Sequence, residues 1–322
     1  MLAMKRAYLL SLIFLLFFPL SFFSLSRAAE RENKMGVVVI SHGAPRGIWN
    51  DTVAKLVSTV KSPYPLETAF LDFDKERTLD KAVKRLEAKG VNEVLIVHLS
   101  PSSYSNHHEE IFYLTGFRKD LGIYTETAGK PIQSTIRTFA ISPCMDTHPL
   151  IVEVLRGYAK ELSENPPAES LILLGHGPVE EVENIMWEKQ LKRIAEEIRK
   201  TLPFREIVCM TLREDSADLI SNQAQDDLRE TAQRLSTQGK VLVVADALGA
   251  GMLQEEVKQL LKGIPAVVSQ KGIISHPNAI KWIEATIQNG MNQPKVPPVN
   301  RGWNRMDYET GKPFGTNRYG CM

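Results

Sequence analysis

One sequence motif occurs twice in this chain: an apolar, strand-like run that ends in His-Gly. Residues 37–43 read VVVISHG and residues 171–177 read LILLGHG. Such a run predicts a buried strand that delivers an imidazole to a loop, where glycine lets the backbone turn without a Cβ clash. The duplication predicts two related halves, each with a histidine, His42 or His176, at the end of its first strand.

The similarity between the halves extends beyond this motif. Residues 79–90 and 228–239 share leucine, arginine and glycine at matching places, and each is followed by a run rich in valine. Because only two copies exist, the pattern indicates two domains rather than a solenoid. We predict one domain over residues 35–164 and a second over 169–289, joined by the stiff linker at residues 165–168.

Strands and helices are predicted to alternate in both halves. The predicted strands are 37–41, 66–71, 94–99, 135–141, 171–174, 206–212, 241–245 and 266–269. The predicted helices are 50–59, 78–89, 107–114, 149–162, 184–200, 224–237, 254–261 and 277–287. Strands of nearly continuous valine, isoleucine and leucine favour an α/β fold with two similar, mainly parallel sheets, each flanked by helices. Ligands of such folds bind at the carboxyl ends of the strands, here in a cleft between the domains.

Both ends of the chain differ from the predicted domains. Residues 1–28 have a basic start, an apolar run and small residues near a cleavage position, which predicts a secretory signal and an exported, periplasmic protein. The alternative is an uncleaved membrane anchor, since the apolar stretch approaches the minimum for a span. Residues 290–322 are rich in proline and glycine and form a predicted tail, either extended over the domains or disordered.

Charge and cysteine content exclude two classes of protein. The formal net charge of +1 becomes −2 when residues 1–28 are removed, so no basic surface for nucleic acid is expected. Three cysteines, Cys144, Cys209 and Cys321, are too few for a disulfide framework. No glycine-rich phosphate loop is present, and no nucleotide cofactor is expected. Small molecules are therefore the expected partners, and the sequence leaves the oligomeric state open, a homo-oligomer included.

A polar loop in the first half runs from Ser100 through Ser102 and Ser103 into His107-His108-Glu109-Glu110. Imidazoles with carboxylates suit divalent first-row metals, and they also suit proton removal near neutral pH. The alternative is a polar helix start whose glutamates complement the helix dipole. The second half lacks histidines at this place, so the chemistry is predicted to lie mainly in the first half.

The remaining histidines are less informative. His148 and His276 each precede a proline at a helix start, which is typical of a helix cap. His98 closes a predicted strand and is either buried against the sheet or part of the site. The glycines after His42 and His176 also allow backbone N–H groups to face an anion such as a carboxylate.

Several of these motifs resemble one family. The run VVVISHG, the strand at residues 94–99 with its Ser-Ser loop and His-x-Glu-Glu-Ile, and the His-Pro helix start are similar to the sirohydrochlorin cobaltochelatases. These enzymes belong to the class II chelatases, with sirohydrochlorin ferrochelatase, anaerobic cobaltochelatase and protohaem ferrochelatase. The resemblance covers residues 36–289 as a tandem of two family units. It implies two α/β domains with a tetrapyrrole cleft between them, and an activity that uses no ATP.

The resemblance also implies roles for particular residues. His42 matches the family histidine that takes pyrrole protons and meets the metal. A gapless match puts the second family histidine at Asn106, so His107 or His108 takes its place one or two residues later. We therefore expect His42, His107 and Glu109 to be catalytic, and His42, His107 and His108 to bind the metal substrate, Co²⁺ or Fe²⁺. Gly43, Ser102, Ser103 and His176 are expected to contact the ring.

Three functions remain open at this point. The first is an exported chelatase that inserts Co²⁺ or Fe²⁺ into a sirohydrochlorin-like ring, as in cobalamin or sirohaem biosynthesis. The second is a binding protein for haem, another tetrapyrrole or a divalent metal, because tetrapyrrole synthesis is ordinarily cytosolic and this chain carries a predicted export signal. The third is a divalent-metal chaperone that uses His107, His108 and Glu109 without any ring.

Overall fold

The computed structural model describes residues 33–118, Leu121 and residues 129–290. From Lys34 onward they lie in one compact unit. The elements of the first half are β1 (Met35–Ser41), α1 (Ile48–Ser58), β2 (Leu66–Phe70), α2 (Leu79–Ala88), β3 (Glu93–His98), α3 (Asn106–Leu114), β4 (Thr138–Ile141) and α4 (Pro149–Leu162). Those of the second half are β5 (Ser170–Gly175), α5 (Glu181–Arg199), β6 (Glu206–Thr211), α6 (Asp218–Ser236), β7 (Val241–Asp246), α7 (Met252–Leu260), β8 (Ala266–Val268) and α8 (Asn278–Gly290).

The strands form two four-stranded parallel sheets with the same topology. Their orders are β2-β1-β3-β4 and β6-β5-β7-β8. In the first sheet Val39 lies opposite Thr68 and Val97, and in the second Leu173 lies opposite Cys209 and Val244. The central strands β1, β3, β5 and β7 are buried along their whole length, because helices cover both faces. The predicted α/β fold with two similar sheets is confirmed.

Local sequence signals explain where helices begin and end. Thr78 caps α2 by accepting a hydrogen bond from the Lys81 N–H at 3.3 Å, and Gly90 follows the helix with a φ of +79°. His148 and His276 act as the caps that the His-Pro pairs predict, since their Nδ1 atoms accept from the Leu150 and Asn278 N–H groups at 3.2 and 3.1 Å. Both histidines therefore serve helix termini rather than a cation.

The last helix of each half packs against a central strand in the sheet of the other half. Helix α4 contacts β7, whereas α8 contacts β3. Across this exchange the Tyr158 hydroxyl donates to the Gly272 carbonyl at 3.0 Å, and the Asn278 amide donates to the Leu150 carbonyl at 3.1 Å. One hydrophobic core consequently runs through both sheets. The two sequence repeats are thus interlocked in space, which fixes the relative position of their sheet edges.

Some element boundaries differ from the prediction for identifiable reasons. Strand β4 begins at Thr138 rather than residue 135, because the hydroxyls of Ser134 and Thr135 donate to Glu87 at 2.9 and 2.8 Å and hold that segment outside the sheet. Helix α6 begins at Asp218, six residues before the predicted start at 224. Its first turns carry few buried apolar side chains, so hydrophobic periodicity does not reveal them.

The segments between and outside the halves have different outcomes. The predicted linker contains a short 3₁₀ helix at Pro166–Ala168. The predicted signal at residues 1–28 and the tail from residue 291 lie outside the described residues. Among the helices that the structure describes, none combines the length and the apolar character required of a membrane span.

One carboxyl group lies completely inside the second half. Asp246 ends β7 opposite Gly175, and its side chain is fully buried. Burial raises the pKa of Asp246 to about 7, while the Trp187 indole works in the opposite direction and the Asp146 carboxylate in the same one. The folded protein therefore holds a proton on Asp246 at pH values where the unfolded chain has released it.

We predict that this proton makes stability fall as pH rises. The stabilising effect is complete below the ordinary aspartate pKa of 3.8 and is lost as the pH rises through the folded pKa of about 7. A shift of this size corresponds to a destabilisation of about 4 kcal/mol above pH 7 relative to acid conditions. In urea unfolding at pH 5 and pH 8, Asp246→Asn should lose much less stability between the two pH values than the wild type. Identical pH dependence in both proteins would contradict the assignment.

Candidate metal site at the carboxyl edge of the first sheet

The loop that carries His42 passes very close to the loop that follows β2. A Cβ atom at Gly43 would lie 1.8 Å from the Asp72 carbonyl oxygen, a distance that no side chain tolerates. The next residue in that second loop, Phe73, has a φ of +58°, a left-handed conformation that is strained for a bulky residue. Gly43 of the His-Gly motif therefore allows the two loops to meet, and this contact brings the Asp72 side chain to His42.

Three side chains with metal-ligating atoms converge at this edge: His42, Asp72 and His107. The His42 Nε2 atom lies 3.5 Å from Asp72 Oδ2, and the rings of His42 and His107 have centroids 4.4 Å apart. One ligand atom from each residue lies within 4.8 Å of the other two. Two imidazoles and a carboxylate suit divalent first-row cations. The side chains are 43%, 48% and 39% exposed, in that order for His42, Asp72 and His107, so a ligand can reach them.

The electrostatics of this group keep a negative charge beside the imidazoles. The hydrogen bond with His42 lowers the pKa of Asp72; burial opposes this effect, and the charges of His42 and His107 add to it. The Glu110 carboxylate lies 3.8 Å from His107 Nδ1 on the same helix. Asp72 is thus ionised at neutral pH and can orient His42, attract a cation and stabilise an imidazolium that forms after proton transfer.

Two neighbouring residues hold the loops in register. The Asn50 side chain is almost fully buried; its Oδ1 accepts from the Ala44 N–H at 2.9 Å and its amide donates to the Phe73 carbonyl at 3.3 Å. Trp49 donates its indole N–H to the His42 carbonyl at 2.9 Å and packs on Gly249 of the second half. The position of His42 therefore depends on both halves of the chain.

His108 points away from His42, although it follows His107 directly. It is completely buried, and its Nδ1 lies 3.0 Å from His98 Nδ1. Cys144 Sγ lies 3.3 Å from His98 Nδ1 and 3.5 Å from His108 Nδ1. Burial lowers the pKa of His108 to about 3, lowers that of His98 well below its usual value and raises that of the Cys144 thiol. The expected metal ligand His108 thus belongs to a second, buried cluster.

Glu109, Ser102 and Ser103 also lie inside the protein rather than at the edge. The Glu109 carboxylate forms an ion pair with Arg118. The Ser102 hydroxyl donates to Gln190 Oε1 at 2.8 Å, and the Ser103 hydroxyl and N–H both donate to the Asp146 carboxylate at 2.7 Å. These contacts fold the loop before α3 and so position His107. A catalytic role for Glu109 and ring contacts for the serines do not fit this placement, because packing of the loop has turned their side chains inward.

His176 occupies the corresponding place at the edge of the second sheet. Its Nε2 atom lies 3.0 Å from Glu214 Oε2 and 3.8 Å from Asp215 Oδ2. Burial would lower its pKa, but the hydrogen bond and charge of Glu214, with the charge of Asp215, raise it to about 9. His176 is therefore a cation at neutral pH. His42, the other duplicated histidine, belongs to the group that could hold a metal ion.

Exposed apolar side chains cluster at the same edges. Among the residues that the structure describes, eight large apolar side chains are exposed, and seven of these lie in the first turns of α1, α5, α6 and α7 or beside Asp72. The seven are Ile48, Phe73, Val182, Ile185, Leu219, Ile220 and Met252. Helices that follow parallel strands begin at the carboxyl edges of those strands. Exposed apolar groups at these strand ends offer surface to an apolar ligand.

Reading the sequence alone missed two residues of this site, Asp72 and Asn50. Asp72 comes directly after the predicted second strand at residues 66–71, so its position at a carboxyl strand end is a signal that could have found it. Asn50 lies at the start of a predicted helix, where a cap is the ordinary interpretation. Its bridge between two loops depends on tertiary contacts that no local pattern encodes.

Comparisons with known proteins give one family match and two solved structures with a similar fold. Residues 36–162 match the CbiX family model. SirB from Bacillus subtilis, solved with Fe³⁺, has a similar structure with a TM-score of 0.58 and 13% identity, and the match covers 80% of this chain and 95% of SirB. DR2241 from Deinococcus radiodurans, described as a multi-domain protein structurally similar to chelatases with two additional novel domains, matches with a TM-score of 0.50 and 15% identity. That match covers 80% of this chain and 55% of DR2241. No curated protein matches the sequence.

The two parallel α/β halves give this chain a chelatase-like fold. The CbiX match lies within the first half of the chain. The second half shares the fold of that first half, as the identical order of its strands shows.

Proposed function

We propose that this protein inserts a divalent metal ion, Co²⁺ or Fe²⁺, into a sirohydrochlorin-like tetrapyrrole. The observation that carries the proposal is the open group of His42, Asp72 and His107 at a sheet edge with exposed apolar side chains. A cation and the flat apolar face of a macrocycle meet at such an edge. The CbiX match at residues 36–162 covers both histidines and Asp72, and it supports the same activity.

The geometry suits the two chemical tasks of metal insertion. The macrocycle loses two protons from its pyrrole N–H groups, and its four nitrogens then bond to the cation. His42 accepts a pyrrole proton, and ionised Asp72 beside it stabilises the resulting imidazolium. His107 lies close enough to share the incoming cation and to take the second proton. Both protons then pass to solvent, which reaches the half-exposed side chains.

The apolar edge provides a place for the ring. Phe73 lies next to Asp72 and packs edge-on against the His42 ring at a centroid distance of 5.9 Å. Ile48 and Met252 are 79% and 84% exposed and come from the two different halves. Burying such side chains against a macrocycle contributes roughly 25 cal/mol per Å² of apolar area. His176 remains a proposed contact for the ring, while its charge is balanced by Glu214 and Asp215.

A metallation assay with several metals side by side tests this proposal. The purified protein is mixed with sirohydrochlorin and Co²⁺, Fe²⁺ or Ni²⁺, and the visible spectrum of the ring is followed. We expect a catalysed band shift with Co²⁺ or Fe²⁺. A stable ring–protein complex without turnover for any metal would contradict the chelatase and identify a tetrapyrrole-binding protein. Metal binding without affinity for the ring would instead identify a metal chaperone.

We further propose that residues 1–28 direct export to the periplasm. Their basic start and apolar run support the proposal. Fractionation of a bacterial host that expresses the full chain should recover the protein in the periplasm, and a variant that lacks residues 2–28 should stay in the cytoplasm. Equal distribution of the two variants would contradict export.

A further inference from the structure

The buried cluster of His98, His108 and Cys144 is separate from the site used in the proposed function. Its members come from three elements: the end of β3, the first turn of α3 and the loop after β4. All three are at most 4% exposed, and their ligand atoms lie within 4.8 Å of one another. Because α3 turns by about 100° per residue, its neighbours His107 and His108 serve two different surroundings.

We propose that His98, His108 and Cys144 form a structural site for a thiophilic closed-shell cation, Zn²⁺ or Cu⁺. The donors are two imidazole nitrogens and one thiolate, the set that borderline and soft cations prefer over oxygen-rich sites. No such site is needed for proton removal at the edge, and the proposed substrate cation would meet His42 and His107 instead.

The distances between the donor atoms fit coordination closely. Bonds of about 2.05 Å to nitrogen and about 2.3 Å to sulfur in a tetrahedral arrangement place two nitrogens about 3.3 Å apart and a nitrogen and a sulfur about 3.6 Å apart. The structure has 3.0 Å between the two Nδ1 atoms and 3.3 and 3.5 Å from each Nδ1 to Sγ. Shifts of less than about 0.4 Å would therefore admit an ion, well within ordinary side-chain adjustment.

Binding has a defined proton balance. The Cys144 S–H bond breaks, a metal–sulfur bond forms and one proton is released to solvent. One of the two facing Nδ1 atoms carries the hydrogen of the present hydrogen bond, and that imidazole must move its hydrogen to Nε2 before Nδ1 can bind the ion. No oxidant or reductant is required, because the cation keeps its oxidation state.

The expected role of the ion is to hold the loop that leads into α3. The Cys144 N–H donates to Ser103 Oγ at 2.8 Å, and the same serine is held by Asp146. A cation would connect this hydrogen-bond network to β3 and to the first turn of α3. His107, which contacts the His42 ring, lies in the same turn. The buried ion would thus stabilise the frame of the edge site without touching its ligand.

Metal retention tests the proposal directly. The full chain is expressed with added zinc or copper, purified without oxygen, passed over a chelating resin and measured for metal by atomic emission. We expect about one equivalent of Zn²⁺ or Cu⁺ per chain. Cys144→Ser should lose it, whereas the matched control Cys209→Ser on β6 should retain it. The two arms, zinc and copper, identify the ion.

Substitution with Co²⁺ gives a second readout that is independent of metal content. A thiolate-to-cobalt charge-transfer band in the near ultraviolet is expected in the wild type and in Cys209→Ser, and its loss is expected in Cys144→Ser. His42→Ala should keep both the band and the retained metal even when metallation activity is lost, so failure of this site and failure of the proposed function are distinguishable. Absence of retained metal in the wild type in both arms, or equal retention in Cys144→Ser, would overturn the proposal.

Discussion

His42→Ala should reduce the rate of metal insertion by about 10²- to 10⁴-fold, the range over which a positioned acid–base group contributes. The side chain accepts a pyrrole proton, meets the cation and is oriented by Asp72, so its loss removes more than one contribution. Because it is 43% exposed, its removal should leave the fold intact. The rate is measured as the initial change in the visible spectrum of the ring at saturating Co²⁺.

His276→Ala is the matched control for this variant. His276 lies outside the edge site, and its Nδ1 caps a helix by accepting from the Asn278 N–H at 3.1 Å. Its loss should cost about 1 kcal/mol of stability and change the insertion rate little. Comparable losses of rate in the two variants would mean that the assignment of His42 is wrong.

The second large effect is expected for Gly43→Ala. The new Cβ would lie 1.8 Å from the Asp72 carbonyl oxygen, so one of the two loops must move. A displacement of about 1 Å between reacting groups can lower a rate by about 10²-fold, and Asp72 and His42 are displaced together here. The insertion rate should therefore fall steeply, and the separation of the two loops should be visible in a crystal structure of the variant.

Gly157→Ala provides the control for adding a methyl group. A Cβ at Gly157 meets no atom within 4 Å, and the residue lies inside α4. Alanine should stabilise this helix by up to about 1 kcal/mol and leave the insertion rate unchanged. If Gly43→Ala were as active as Gly157→Ala, close contact between the two loops would not be required for activity.

The strand ends could be predicted from the sequence, and the direction of side chains could not. Apolar runs that end at His42 and His176 specify buried parallel strands, and their duplication specifies two similar sheets. The exchange of α4 and α8 between the halves was not predictable, because both helices show only an ordinary apolar face. Which sheet an apolar face covers is decided by the packing of the whole chain.

The sequence predicted only some residues of the candidate site, because side-chain directions depend on packing. The rings of His42 and His107 lie close together, as the sequence predicted. His108 is the next residue on the helix, but its side chain lies in the buried cluster with His98. Glu109 faces Arg118, and the nearby carboxylate of the edge site comes from Asp72 instead. Spacing along the chain brings a histidine to a helix start, but the turn of 100° per residue decides which side chain reaches the edge.

Anomalous diffraction from crystals soaked in Co²⁺ locates the cation itself and so tests whether His42, Asp72 and His107 hold it. The proposed function predicts a cobalt peak at about 2.0–2.2 Å from a nitrogen of His42, a nitrogen of His107 and an oxygen of Asp72. Cobalt bound in such crystals with no peak between these three side chains, in a protein that still metallates its ring, would contradict it.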